Sequence, residues 1–318
     1  MEKPTGIDEV IESEAFQKHG LRYVGIGAEK IVFETDGSDK KLIKIDLDTL
    51  RNKILSYFDS HHEYAIAVSL DEKELKKEYQ AQEQAIGEVF GREHVLEKGF
   101  FRYKIPITKE LVSATMGESG SKIIKKLDEM ASIPEIEMIV ETQLIAEELK
   151  NPAERHVMDL SIPLVRYDSF VNSKNIQEGL SKIEDKIDRN MKIYKEQLLN
   201  SDPYVEVEKE IIKNIIKYTK ATGQIMDIFG PNNITIFLDK DSNEPNFHLL
   251  DVIMPGPRRR WDMNIKDDPK LSLLRHCYTF YYGINRWAKE LGVAESLELG
   301  DLTYFKGSEL PTGDFIRS

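Results

Sequence analysis

Cysteine is nearly absent. Cys277 is the single one in 318 residues, so no intramolecular disulfide can form. It lies in the aromatic stretch HCYTFYYGINRW, where it reads as a small core thiol. No apolar run approaches the ~20 residues of a membrane-spanning helix. The opening MEKPTGIDEVIESEAF has no basic region followed by an apolar run, so no signal peptide is expected and the cytoplasm is the expected location. Positive charge is in deficit. A net charge of -12 argues against a general nucleic-acid binder, which needs a basic surface for phosphate contacts, and against docking on anionic lipid. Internal repeats and low-complexity tracts are also missing.

What is present is a soluble-type mixture, 40% hydrophobic and 31% charged, long enough for two domains or one large bilobal one. Residues 7–19 read as a short helix. LRYVGIGAEKIVFET and KKLIKIDL read as strands, and 48–59 as a helix. In DEKELKKEYQAQEQAIGEVF (71–90), Leu75, Tyr79, Gln82, Ile86 and Val89 share one face, which predicts a helix. HVLEKGFFRYKIPI follows as strand, GESGS as a flexible break and SKIIKKLDEMAS as a short helix. IEMIVETQLIA and HVMDLSIPLVRY read as strands. From about 174, Ile176, Leu180, Ile183, Ile187, Met191, Tyr194 and Leu198 step by fours and threes, an amphipathic helix. NSDP breaks it, and VEVEKEIIKNIIKYTKAT is a second helix with Gly223 as its C-cap. The strands ITIFL and FHLLDV and the helix LSLLRHCYTFYYGINRWAKELG complete the chain.

Four features carry chemistry. Gly25 and Gly27, with Val32 and Phe33 beyond, sit at a strand–turn–strand, where glycines let the backbone approach phosphate oxygens. Lys44 interrupts the apolar strand KLIKID, and a buried ammonium needs an anion beside it or an exit to solvent. Glu78 and Glu83 lie near the apolar face of the 71–90 helix, and either suits pairing with Lys44. The loop QIMDIFGPNN offers Asp227, Asn232 and Asn233 before a hairpin that leads to Asp251. An Asn and an Asp at neighbouring strand ends form a hard, oxygen-rich pair of the kind Mg2+ prefers. Taken singly, each feature is also an ordinary one: a turn glycine, an edge-strand lysine, a solvated acidic face, a turn former.

In this order and spacing they resemble the protein-kinase-like superfamily, in its short, atypical branches (RIO-type and small-molecule phosphotransferase relatives). The likeness covers about residues 20–290. Gly25, Gly27, Val32 and Phe33 match the G-x-G-x-x-G-x-V loop in register, with Lys30 in place of its third glycine. Lys44 matches the strand lysine, Asn233-Ile234 the Asn-aliphatic start of the strand after the catalytic loop, and LLD ending in Asp251 the start of D-F-G. Val252 and Ile253 replace Phe and Gly, no His-Arg precedes Asp227, and no A-P-E comes after Asp251. The family spacing from Asp227 reaches Asn232, whereas the Pro-x-Asn-aliphatic pattern selects Asn233.

The resemblance implies an α+β, bilobal fold. Residues 1–168 would form a lobe with an antiparallel sheet, one key helix and an insert at 110–135. Residues 169–318 would form a mainly helical lobe with a reduced helix set. It implies ATP and Mg2+ as cofactors. Gly25, Gly27 and Val32 would cover the nucleotide, and Lys44 would contact phosphates, held by Glu78 with Glu83 as runner-up. Asp227 would be the base, and Asn233 and Asp251 the metal ligands. Arg258, Arg259 and Arg260 would then receive a phosphorylated or acidic substrate. About 67 residues follow Asp251, which favours a small-molecule or non-standard acceptor over a peptide. The competing expectation is a pseudokinase, a nucleotide-binding or protein-interaction module without turnover.

Overall fold

The alternation in KIVFET and KLIKID puts Ile31, Phe33, Ile43 and Ile45 on one side of a pleated surface, and all four are buried. They belong to a computed structural model that describes residues 14–26, 30–36, 41–58, 72–96, 98–144, 155–158, 176–197, 202–228, 233–239, 241–253 and 269–303. The architecture is α+β. Five strands form one antiparallel sheet: β1 (Leu21–Ile26), β2 (Lys30–Thr35), β3 (Lys41–Asp46), β4 (Lys98–Pro106) and β5 (Glu135–Leu144), in the order β1-β2-β3-β5-β4. The register of β1 against β2 shifts between Tyr23 and Gly25, a bulge that sets Gly25 opposite Val32.

Helices α1 (Glu14–Lys18), α2 (Leu47–Phe58), α4 (Lys109–Met116) and α5 (Ser121–Asp128) share the apolar core of this sheet. Phe16 stacks on Phe33 with ring centroids 5.0 Å apart. Leu50, Ile54, Leu111 and Val112 close the core from the helical side, each such side chain contributing ~1.5–3 kcal/mol on burial. Asp46 begins α2 by accepting the Thr49 N–H at 2.7 Å, and Thr108 begins α4 by accepting the Leu111 N–H at 3.1 Å. GESGS, expected as a flexible break, is a 3-10 turn at Gly117–Gly120 that links α4 directly to α5. Buried Gly120 lets the two helices close up, since a Cβ there would lie 2.6 Å from Val112.

A second group of elements comprises α6 (Ile176–Gln197), α7 (Asp202–Thr222), α8 (Pro269–Leu291) and the antiparallel sheet β6 (Arg155–Met158), β7 (Ile234–Leu238), β8 (Pro245–Leu249), in the order β6-β7-β8. The expected stripe on α6 is realised, with Leu180, Ile183, Ile187 and Met191 buried. So are Ile212, Ile215 and Ile216 of α7 and Phe280, Ile284 and Trp287 of α8. Cys277 is buried on α8, and burial pushes its thiol well above the usual range. Several boundaries differ from the sequence reading, two of them in this group of elements with consequences for the Asp227 region or its helix. Helix α7 starts at Asp202 rather than after the NSDP break, because Pro203 falls in the first turn, where a missing N–H costs nothing. Strand β8 stops at Leu249 rather than running through FHLLDV, although one more bond in the same register, from the Leu250 N–H to the Asn233 carbonyl at 2.8 Å, continues beyond it.

Helix α3 (Glu72–Phe90) buries Tyr79, Gln82 and Ile86 on its expected face. It continues through Gly91 into a 3-10 turn, Arg92–His94, whose His94 ring stacks on Phe247 at 3.9 Å and contacts the Phe247 carbonyl. The chain divides into two compact units. One is Met1–Lys76 with Glu97–Glu147, and the other is Lys77–Leu96 with Glu148–Ser318, so most of α3 groups with the second. The sequence reading placed its division at 168/169. No helix among the described residues is long and apolar enough to cross a membrane.

Candidate functional site

Helix α7 ends where Gly223 adopts φ 72, a left-handed conformation natural to glycine. The chain then continues without regular secondary structure, and the Ile228 N–H donates to the Met226 carbonyl at 3.0 Å, a tight turn over Asp227. Three hydrogen bonds hold this stretch against the hairpin. The Asp227 N–H donates to the Val252 carbonyl at 2.9 Å, the Leu250 N–H donates to the Asn233 carbonyl at 2.8 Å, and the Asn233 side-chain amide donates to the Asp227 carbonyl at 2.8 Å. Asp227, Asn233 and the segment carrying Asp251 are therefore laced together around the start of β7 and the exit from β8.

The lacing assigns the Asn233 fork. A carbonyl accepts only, so the arm facing Asp227 is the NH2 group, and Oδ1 is the other arm. Asn233 itself is buried. Asp251 is half-buried, and Val252 and Ile253 after it are core residues. This apolar pair anchors the segment by burial. The donor set suits a hard cation: one amide oxygen and one carboxylate. Among the described residues no group of three or more His, Cys, Asp or Glu gathers as a metal site.

In the other unit, Lys44 faces Glu141 directly across β3 and β5. Its ammonium lies 3.9 Å from Glu141 Oε1. Lys98 approaches the same oxygen at 2.9 Å, and Lys30 approaches Oε2 at 3.3 Å. Glu141 is therefore an anion partner that the described residues give to Lys44, and sequence reasoning missed it. Gly25 and Val32 lie on β1 and β2, with Val32 opposite Lys44 in the ladder.

Several expected residues are described in part or not at all. Glu78 lies on α3 without a described side chain, and Glu83 is half-buried on the same helix. Gly27, Asn232, Arg258, Arg259 and Arg260 lie outside the described residues. Comparison of the chain with family models, curated proteins and solved structures yields no match.

Proposed function

We propose that the chain has a bilobal, protein-kinase-like fold and acts as an ATP- and Mg2+-dependent phosphotransferase on a small-molecule or other non-peptide acceptor in the cytoplasm. The observation that carries this reading is the lacing of Asn233 to Asp227 and of Asp227 to Val252. It ties Asn233 to Asp227 and Asp227 to the residue that follows Asp251, and it leaves one hard oxygen of Asn233 facing away from the strap. Gly25 and Gly27 bring backbone N–H groups close to the phosphates. The Lys44 ammonium binds phosphate oxygens as a point charge. Asn233 Oδ1 and the Asp251 carboxylate hold Mg2+, which when bound neutralises charge on the phosphates. The Asp227 carboxylate orients the acceptor hydroxyl and takes its proton. Arg258, Arg259 and Arg260 bind an acidic or phosphorylated portion of the acceptor. Most of the acceleration then comes from positioning and charge neutralisation.

A second reading, a pseudokinase module that binds nucleotide without turnover, is favoured by Val252 and Ile253. Both are packed in the core where the family has the mobile Phe-Gly pair. The test is thermal unfolding of the full chain with Mg-ATP. The expected result is a rise in Tm that disappears in Lys44→Ala and Asp251→Ala. Absence of any shift with ATP and either Mg2+ or Mn2+ overturns nucleotide binding. A shift with no self-labelling from γ-phosphate-labelled ATP and no transfer across a panel of small-molecule acceptors selects the module.

A further inference from the structure

Strand alternation places Lys30, Val32, Lys44, Glu141 and Lys98 on one face of the five-stranded sheet, opposite the apolar core that holds Ile31, Phe33, Ile43, Ile45 and Val140. Three ammonium groups from three strands meet at one carboxylate. The side chains are largely withdrawn from water, Lys98 at 4% exposure, Glu141 at 7%, Lys44 at 10% and Lys30 at 16%. Concentrating like charges at one buried point is costly and needs a reason beyond stability, since apolar residues of similar volume pack there at no such cost. The three positions also stand on paired strands rather than loops, so their backbones are held in fixed register around Glu141, which favours a preorganised site.

We infer that Lys30, Lys44 and Lys98 form a single seat for a linear polyphosphate, with Glu141 as the counter-charge that lets them assemble. The inference rests on Lys44 as the phosphate-contacting lysine of the proposed phosphotransferase and extends that role to two further residues. Lys30, which stands where a third loop glycine was expected, contributes an ammonium at the end of the Gly-rich turn. Lys98 contributes one from β4. Ammonium groups bind phosphate oxygens as point charges without demanding planar geometry. A row of them therefore matches a chain of phosphates better than a single carboxylate or sulfate.

Inorganic tripolyphosphate, added without metal or nucleoside and followed by titration calorimetry on the full chain, tests the seat. Binding is expected, weakened about tenfold or more in Lys98→Met and in Lys30→Met and unchanged in Lys122→Met, an exposed lysine on α5. Should Lys98→Met fail to fold, Lys98→Arg keeps the charge and is expected to keep the affinity, and Lys30→Met decides. No binding, or equal affinity in both Met variants and wild type, overturns the inference. Tripolyphosphate binding that depends on Lys30 and Lys98 without any Mg-ATP shift leaves the seat standing and removes the phosphotransferase. A Mg-ATP shift that depends on Lys44 but is indifferent to Lys30 and Lys98 does the reverse.

Discussion

The side-chain amide of Asn233 donates to the main-chain carbonyl of Asp227 at 2.8 Å, a strap across the connection between α7 and β7. Because the strap uses the NH2 group, chemistry rather than size decides what can replace it. Asn233→Ala leaves the Asp227 carbonyl short of a donor beside a buried position and should cost about 1–3 kcal/mol. Asn233→Asp should cost more, since an ionised carboxylate only accepts and would face a carbonyl oxygen. Thermal unfolding ranks the three proteins, and an Asp variant as stable as wild type would show that the amide is not the donor.

Much of this arrangement was legible in sequence, and the reasons it stopped where it did are physical. Periodicity located α6 because its buried stripe is set by helical geometry alone, and the same holds for α3. Gly223 was readable as a C-cap because the left-handed turn demands that residue type. Glu141 was not readable. It shares its strand, its face and its residue type with Glu137, yet Glu137 is exposed and Glu141 buried. Only strand order separates them: Glu141 lies beside β3 as well as β4, whereas Glu137 pairs with β4 alone. The same limit hid Lys98, whose distance from Lys44 along the chain says nothing of their common carboxylate. The end of β8 was missed because its apolar run outlasts the strand: Val252 and Ile253 are buried without belonging to it.

Removing the charge of Glu141 tests whether the lysine cluster depends on it. Glu141→Gln leaves three crowded ammonium groups without their shared carboxylate, and breaking a buried pair in this way typically costs about 3–5 kcal/mol. An anion in the seat supplies the missing counter-charge. The variant should therefore gain more Tm from saturating tripolyphosphate than wild type does. A Glu141→Gln protein that is destabilised but gains no more from the anion than wild type would reduce the cluster to an ordinary structural ion pair.

Gly223 and Gly292 offer a matched pair. Both have positive φ, 72 and 71, so alanine at either carries the left-handed penalty of about 1–2 kcal/mol. At Gly292 a Cβ meets nothing within 4 Å, whereas at Gly223 it would fall 1.8 Å from the Thr303 hydroxyl. Thr303 is also held there by its own N–H, which donates to the Gly223 carbonyl at 2.8 Å. Gly223→Ala should thus lose clearly more stability than Gly292→Ala in urea unfolding, the difference reporting the displacement of Thr303 from the start of the Asp227 loop. Equal losses would mean that Thr303 yields without cost.

Tyrosines raised above their ordinary value, Tyr103, Tyr218, Tyr278 and Tyr282, set an alkaline limit. Burial raises Tyr218 to about 12, and its hydroxyl donates to Gln224 Oε1 at 3.1 Å. Burial first, and then the Asp188 carboxylate, raises Tyr282 to about 12, with its hydroxyl 3.2 Å from Asp188 Oδ2. Both are raised above the ordinary value of 10.0, so the folded state favours the neutral phenol more than the unfolded state does. Their contribution is therefore fully present below pH ~10 and is lost as pH climbs through ~12, because the unfolded chain releases these protons first. Stability measured by denaturant unfolding should fall across that window. In Tyr282→Phe the fall should be shallower, since one of the linked groups is gone. An unchanged slope in that variant, with ultraviolet titration showing all tyrosinates forming near pH ~10, would mean that Tyr282 plays no part in the alkaline limit.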